Sequence, residues 1–230
     1  ALREERDRFD RLASVAPGVL HTYRRSPDGK ASFVYASPTA KSVLGLTPAE
    51  LDDFAARPQQ FMRSDDLQRL AIAVQRSSQN LTPYREICSF MHPKRGEVWI
   101  EVMSAPVREV DGGTVWHGII CDVSERVAAA QRISESERRY RQLADAIPQA
   151  LWTISGDGVV EFLNRQAIEY SGFAGTALAD WSWEAQIHPQ DRELALQCWQ
   201  ESMRQLRLLE VAVRLRRADG VYRWHMVRLT

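Results

Sequence analysis

The sequence has little cysteine, no net charge and no long apolar run. Three cysteines, Cys88, Cys121 and Cys198, stand far apart and outside any C-x-x-C pair, which excludes a disulfide framework and favours a reducing, cytoplasmic compartment. Thirty Lys and Arg balance thirty Asp and Glu, so we expect no nucleic-acid partner. No stretch approaches the roughly 20 apolar residues that cross a bilayer. Membrane association of a longer parent protein stays open.

Motifs of catalysis and metal binding are also lacking. The sequence contains no GxxxxGK[ST], GxGxxG, GxSxG or HExxH motif, so phosphate cradles, nucleophile elbows and zinc-hydrolase helices find no residues here. His21, His92, His117 and His225 are dispersed, and none has the i, i+4 spacing that places two ligands on one helix face. We therefore expect no catalytic residue and no metal site in this chain.

What the chain does contain is an internal repeat. The segment LASVAPGVLHT from Leu12 matches LADAIPQALWT from Leu143 at an offset of 131 residues, and EVWIEV around Trp99 matches YRWHMV around Trp224 at an offset of 125. The 230 residues also fit two domains of roughly 100 to 150 residues each. These matches indicate that the chain contains two copies of the same fold.

Both copies show the same order of predicted elements. Two β-rich runs around a turn come first, short helices follow, and strand-like runs separated by turn residues close the copy. Consecutive hairpins with helices against one sheet face predict an α+β fold, with a five-stranded antiparallel sheet and short helices on one face in each domain. The first predicted domain is 1–122, with an N-terminal helix that carries Leu2, Phe9 and Leu12 on one face. The second is 148–230, which ends before its last strand.

A helical linker is predicted between the domains, over 123–147. This segment has neither Gly nor Pro, and its apolar residues recur at three- and four-residue steps. At 1.5 Å per residue it spans roughly 35 Å. Glu137 interrupts the apolar seam, so two interpretations remain, a solvated interdomain helix or the seam of a parallel dimer.

Three short motifs together resemble the PAS (Per-Arnt-Sim) family of sensor domains. Asp122-Val123-Ser124-Glu125-Arg126 is similar to the sequence at which the last strand of a PAS domain passes into a signalling helix. His188-Pro189-Gln190-Asp191-Arg192 resembles the start of the family's long helix, and Asp219-Gly220-Val221-Tyr222-Arg223-Trp224 resembles its hairpin into a Trp-bearing strand. The resemblance implies that Asp122, Val123, Ser124 and Arg126 take part in signal transmission.

Two departures from the family pattern bear on cofactors. The first copy has Arg63-Ser64-Asp65-Asp66 where the second has the His-Pro motif, and the Asn-Cys-Arg-Phe motif of the flavin-binding branch is not present. His188 is a candidate haem ligand, since imidazole is a common proximal ligand. The interpretation we prefer is that His188 caps or packs at the helix entrance, and no cofactor is assigned.

Aromatic residues supply the candidates for a ligand pocket, because a PAS-type sheet wraps its inner face around a central cavity. Two interpretations stay open, a packed aromatic core or a pocket for a small apolar or aromatic ligand. In the second copy the candidates are Trp152, Phe162, Trp181, Trp183, Trp199 and Trp224. In the first copy they are Tyr23, Phe33, Tyr35, Phe61, Phe90 and Trp99.

The resemblance implies a sensory input and dimerisation module of a multidomain signal-transduction protein. The parent protein is then most often a sensor histidine kinase and next a diguanylate cyclase or phosphodiesterase, while this chain is not itself an enzyme. A cue in a pocket is relayed through the linker helix of a homodimer to an output domain of the same parent chain. Two alternatives stay open, packed modules used only for protein-protein interaction and dimerisation, and a haem or flavin redox or gas sensor.

Overall fold

A computed structural model divides the chain into two compact units, Ala1–Gln131 and Arg132–Thr230. It describes residues 13, 15–47, 49–173, 178, 181–205 and 208–229. The predicted N-terminal helix with Leu2, Phe9 and Leu12 lies outside the described residues. The division between the units falls inside the predicted linker, so the proposed domain bounds of 1–122 and 148–230 stay a prediction.

The first unit is built on one antiparallel sheet of five strands. Its strands are β1 (Val19–Arg25), β2 (Ala31–Ala36), β3 (Tyr84–His92), β4 (Gly96–Arg108) and β5 (Thr114–Asp122). Their spatial order is β2-β1-β5-β4-β3, so the last strand lies between the two hairpins and joins them. The predicted α+β class and the five-stranded antiparallel sheet are confirmed in this unit.

Helices connect β2 to β3 and cover the inner face of this sheet. They are α1 (Ala40–Val43), α2 (Glu50–Ala56), a 3₁₀ turn at Pro58–Gln60 and α3 (Ser64–Asn80). Buried residues of the helices pack against alternate residues of the strands, with Leu44, Leu51, Phe54, Phe90 and Ile100 among the members of one core. Alternation of buried and exposed side chains along the strands follows from the two-residue period of a pleated sheet.

A single helix, α4 (Ser124–Ala146), follows β5 directly. Its 23 residues correspond to a length of about 35 Å, and none of its side chains is buried. This helix covers nearly all of the predicted 123–147 segment.

The second unit repeats the order of elements with two separate ladders. It contains β6 (Trp152–Ile154), β7 (Val160–Leu163), α5 (Arg165–Ser171), α6 (Trp183–Gln186), α7 (Arg192–Gln205), β8 (Leu209–Arg216) and β9 (Tyr222–Leu229). β6 pairs with β7, and β8 pairs with β9. Within the described part of this unit no strand corresponds to β5, the strand that joins the two hairpins of the first unit, so here the two ladders stay separate.

An aspartate anchors the long helix to the sheet in both units. The Asp66 carboxylate accepts a hydrogen bond from the backbone N–H of Ser89 at 2.9 Å. Asp191, 125 positions later, accepts one from the backbone N–H of Arg214 at 2.9 Å, and its other oxygen pairs with the Arg214 guanidinium at 2.7 Å. Both copies therefore share the aspartate of the His-Pro-x-Asp segment and the hydrogen bond that it makes to the sheet.

Candidate functional site

The inner face of the first unit is filled by aromatic rings. Phe61 stacks on Phe90 with ring centroids 5.8 Å apart, and Phe54 meets both rings edge-on at 5.7 Å. Phe33 and Tyr23 continue the cluster towards Trp116, which is fully buried. The Trp116 indole donates to Ser77 Oγ at 2.9 Å, so this large side chain is also satisfied in its hydrogen bonding.

A buried histidine lies at the centre of this face. Gly118 of β5 pairs with His21 on one side and Ser104 on the other, and a Cβ atom at Gly118 would collide with Ser104 and the Met103 carbonyl. The missing side chain lets His21 Nε2 approach Ser104 Oγ to 3.0 Å. His21 Nδ1 is buried without a hydrogen-bond partner, and burial lowers the His21 pKa from 6.5 to about 4. The imidazole is therefore neutral at neutral pH.

The second unit contains a cavity where the first unit is packed. Its volume is about 60 Å³, which corresponds to a few water-sized spheres of roughly 10–15 Å³ each. Side chains from β6, α5, α6, α7, β8 and β9 line it. Most of this lining is apolar, and four tryptophans form part of it: Trp152, Trp181, Trp183 and Trp199.

Two residues that line this cavity each have a buried polar atom without a partner. The indole Nε1 of Trp181 and the carboxamide Oε1 of Gln186 are both buried and make no hydrogen bond. Trp183 and Trp199 lie beside each other with ring centroids 6.0 Å apart. A buried donor and a buried acceptor without partners are unfavourable, and neighbouring atoms separate both of them from the open space of the cavity.

The structure separates the predicted aromatic residues into three groups. Trp152, Trp181, Trp183 and Trp199 line the cavity, whereas Tyr23, Phe33, Phe61 and Phe90 belong to the packed aromatic cluster. Tyr35 is half-buried on β2, and Phe162 lies under the Arg141 guanidinium at 5.6 Å without lining the cavity.

The placement of Trp99 and Trp224 in a pocket is wrong. Trp224 is 67% exposed and lies under the Arg214 guanidinium at 5.1 Å. Trp99 stands between Val98 and Ile100, which both point into the core, so its side chain is on the outer face of the sheet. Each of these tryptophans is one residue out of phase with the core residues of its strand, so its side chain lies on the opposite face of the sheet.

His188 is also outside the cavity lining. Its Nδ1 accepts a hydrogen bond from the Gln190 backbone N–H at 3.3 Å, and its ring meets Tyr222 edge-on at 4.7 Å. Sites for cofactor-sized ligands occupy about 300–1,000 Å³, several times the 60 Å³ found here. The residues present therefore do not fit a haem held by His188.

A second candidate site is the junction between β5 and α4, which contains the predicted transmission residues. Ser124 N–H donates to Asp122 Oδ1 at 2.9 Å, and Arg95 pairs with the other Asp122 oxygen. Although burial alone would raise the pKa of Asp122, these hydrogen bonds hold it below its usual value. Val123 N–H donates to the Trp99 carbonyl at 2.8 Å, and Trp99 N–H donates to Ser124 Oγ at 2.9 Å. The start of α4 is thus fixed to β4.

A buried carboxylate, which the sequence did not indicate, adds to this junction. Glu101 of β4 is 3% exposed and accepts hydrogen bonds from Arg85 of β3 at 2.7 Å and from Arg126 of α4 at 2.8 Å. The bond from Arg85, followed by the one from Arg126, holds the pKa of Glu101 below its usual value. One carboxylate therefore connects an edge strand, a central strand and the first turn of the helix.

The far end of α4 is fixed within the second unit by Asn164. The fully buried Asn164 donates from Nδ2 to the carbonyls of Ala144 and Gln149, both at 2.9 Å. Its Oδ1 accepts from Leu151 N–H and from Ala167 N–H, also at 2.9 Å, and thereby caps α5. Since Ala167 lines the cavity, a single side chain connects the cavity wall to the end of α4.

Metal-binding clusters and membrane-spanning helices are absent from the described part of the chain. No group of three or more His, Cys, Asp or Glu side chains there is arranged to hold a metal ion. Among the same residues no helix is both long and apolar enough to cross a bilayer.

Family comparison agrees with this geometry. The family described as PAS fold matches residues 33–120 and 160–230. The chain therefore belongs to the PAS fold family, which confirms the resemblance seen in the sequence motifs.

Curated relatives and a solved structure give the context of this family membership. Two-component sensor PprA of Pseudomonas aeruginosa is 28% identical over 187 residues, which cover 78% of this chain and 18% of that protein. Sensor protein FixL of Bradyrhizobium diazoefficiens is 25% identical over 143 residues, covering 60% and 27%. A sensory box histidine kinase/response regulator structure from Burkholderia thailandensis has 22% identity and a TM-score of 0.42, covering 58% of this chain and 98% of that one. The chain spans about a quarter or less of the length of these curated relatives.

Proposed function

We propose that this chain is the sensory input module of a multidomain signal-transduction protein, in which the second unit binds a small molecule in its tryptophan-lined cavity. The proposal is supported by the cavity of about 60 Å³ and its mainly apolar lining, which includes four tryptophans. The first unit, with its filled aromatic core, has the role of a relay and not of a receptor in this proposal.

Helix α4 is the transmitting element of the proposal. Asn164 connects the cavity wall to the carbonyl of Ala144, and Glu101 with Ser124 connects the start of the helix to the first sheet. A ligand that binds two arrangements of the cavity with different affinity would shift the population of helix positions. Residues 123–147 are therefore the linker in our domain assignment, and Asp122, Val123, Ser124 and Arg126 belong to the transmission site.

The parent protein is proposed to be a cytoplasmic-facing sensor histidine kinase that acts as a homodimer. The matched relatives PprA and FixL are named as sensors, which supports a two-component context. Exposed apolar residues along α4 support a dimer seam: Ile133, Tyr140 and Leu143, exposed by 62%, 72% and 58%. Their steps of seven and three residues match an interhelical a/d pattern.

Native mass spectrometry of the freshly purified 230-residue chain tests the sensory proposal. We expect a stoichiometric compound of low mass that is lost on denaturation, together with slower hydrogen exchange of the α4 amides in the loaded protein. A chain that carries no compound and whose α4 exchange does not respond to any small molecule would favour the alternative, packed modules used only for interaction and dimerisation.

A further inference from the structure

Three large apolar side chains of α4 lie exposed on one face of the helix. Ile133, Tyr140 and Leu143 are exposed by 62%, 72% and 58%. With about 100° between successive residues of a helix, all three fall within a sector of about 80°. The exposed Ala129 and Ser136 lie in the same sector. An apolar face of this kind indicates a surface that binds another protein.

The contacts that fix α4 within the second unit lie on a different side of the helix. The Asp145 carboxylate accepts a hydrogen bond from the Arg165 backbone N–H at 2.7 Å, and the Arg141 guanidinium lies over the Phe162 ring at 5.6 Å. Asp145 is about 120–160° around the helix from each of the three large apolar residues. The helix can therefore hold its own unit and present the apolar face to a partner at the same time.

Charged residues flank the apolar face in a regular pattern. If Ile133 and Tyr140 take heptad position a and Leu143 takes position d, Arg132 stands at position g and Glu137 at position e. Glu137, which interrupts the apolar residues in the sequence, therefore stands at the edge of the seam and not within it. The two edges of the face carry opposite charges.

This charge pattern distinguishes the two possible directions of a partner helix. In a parallel pair in register, a g residue of one helix adjoins the next e residue of the other, so Arg132 meets Glu137 of the second copy, twice by symmetry. In an antiparallel pair, g positions face g positions, and Arg132 would lie near Arg139 of the second copy. Like charges repel there, so the charges favour the parallel pair.

We propose that this face of α4 binds a second copy of the chain as a parallel pair in register, with Arg132 of each copy on Glu137 of the other. This inference rests on the proposed homodimer and names the arrangement of its helices. The seam is only about two heptads long, with the small Ala129 and Ser136 at two of its positions. A contact of this size is reversible, so we expect a Kd of about 10–100 µM.

Sedimentation equilibrium of the full 230-residue chain tests the charge pair. Arg132→Glu replaces two attractive contacts of the dimer by two repulsive ones and should raise the Kd about tenfold, as should Glu137→Arg. The double exchange restores opposite charges and should return the Kd to within about twofold of the starting value. Arg138→Glu makes the same chemical change at an exposed position on the other side of the helix and should leave the Kd nearly unchanged.

Cysteine cross-linking tests the direction and register of the helices. A disulfide requires Cα atoms about 4.4–6.8 Å apart, and Ala129 meets its own copy at this distance only in a parallel pair in register. Ala129→Cys should therefore form a disulfide-linked dimer on mild oxidation. Gln131→Cys, two residues away on the other side of the helix, should not. The starting chain, with its own three cysteines, measures the background.

The outcomes separate the helix arrangement from the homodimer itself. A lower Kd for Arg132→Glu, or equal cross-linking of Ala129→Cys and Gln131→Cys, overturns the parallel arrangement in a chain that still dimerises. A chain that stays monomeric up to about 1 mM overturns both this inference and the proposed homodimer. Native mass spectrometry decides the sensory proposal for the cavity independently of either result.

Discussion

In the first unit β5 lies between β1 and β4 and closes a sheet whose inner face is filled by Phe54, Phe61 and Phe90. In the second unit β6–β7 and β8–β9 form separate ladders around a tryptophan-lined cavity. Both units nevertheless keep the same aspartate at the start of the long helix. The comparison teaches that both units share backbone-directed hydrogen bonds such as those of Asp66 and Asp191. The first unit also has β5, which adds the buried Trp116 and Ile120 to its interior, whereas no strand in the described part of the second unit corresponds to β5.

The largest expected difference concerns one inner-face position. Phe90 and Leu215 are equivalent, 125 residues apart, but Phe90 is 1% exposed in a stacked cluster and Leu215 borders the cavity. Phe90→Ala should lower the stability of the first unit by about 3–5 kcal/mol, through lost burial and an unfilled cavity. Leu215→Ala should lower that of the second unit by only about 1–2 kcal/mol. Urea titration with hydrogen-exchange mass spectrometry assigns each loss to a unit, and equal losses would remove the distinction between packed core and cavity.

Lowering the pH should reduce the stability of the first unit, because His21 is protonated more readily in the unfolded chain than in the folded unit. The pKa of His21 falls from 6.5 in its ordinary state to about 4 in the folded unit, with burial as the main cause. The unfolded chain therefore binds the proton more readily between these values, so the stabilisation is complete above pH 6.5 and is lost as the pH falls towards 4. At about 1.36 kcal/mol per pKa unit, the loss is about 3 kcal/mol.

The second unit provides the comparison for this pH effect, since Trp152 stands at the position equivalent to His21. Chemical denaturation of the first unit between pH 7 and 4.5 measures the effect. His21→Phe should remove the part due to His21 and leave the smaller slope of His92, whose pKa burial also lowers. Carboxylates with lowered pKa values, such as Asp122 and Glu101, act at lower pH. A slope of undiminished size in His21→Phe would assign the acid sensitivity to another group.

Substitution of the aspartate that both units share should have an effect of intermediate size on stability. Asp66→Ala leaves the buried Ser89 N–H without an acceptor, which should lower the stability of the first unit by about 1–3 kcal/mol. Asp191→Ala should destabilise the second unit alone, and by less, because its partner Arg214 can turn towards water. Exchange rates of the β3 and β8 amides measure the two effects. If Asp66→Ala left the β3 amides fully protected from exchange, or Asp191→Ala the β8 amides, the two aspartates would not have equivalent roles.

Much of the order of strands and helices could be predicted from the sequence, because strand alternation, turn residues and the repeat depend on local patterns. The aromatic candidates were correct as inward-facing residues where they shared the phase of a strand's core residues, as Phe33 and Trp152 do. Trp99 and Trp224 were assigned to the wrong face, since hydrophobicity alone does not show which side of a strand is covered. Glu101 and Asn164 were missed, because each acts through partners that are distant in sequence and meet only in the fold.

The smallest effect, and the one that tests signal relay most directly, concerns Asn164. Ser37 stands at the equivalent place in the first unit and makes the same backbone pair, with its Oγ accepting from Leu20 N–H at 2.9 Å and its N–H donating to the Leu20 carbonyl at 2.8 Å. Asn164→Ser should therefore keep the bond to Leu151 and lose those to the Ala144 and Gln149 carbonyls. Two hydrogen bonds between neutral groups, at about 0.5–1 kcal/mol each, give a loss of about 1–2 kcal/mol.

The matched exchange, Ser37→Asn, serves as control in the first unit. The decisive measurement is hydrogen exchange of the α4 amides before and after addition of the cavity ligand. If Asn164 has only a structural role, its substitution changes the exchange rates of the free protein but not the change in those rates on ligand binding. If Asn164 connects cavity and helix, Asn164→Ser binds the ligand but no longer protects the last two turns of α4. A variant that binds and still protects those turns would place the coupling elsewhere, and the wall of α5 that holds Tyr170 and Ser171 would be the next element to change.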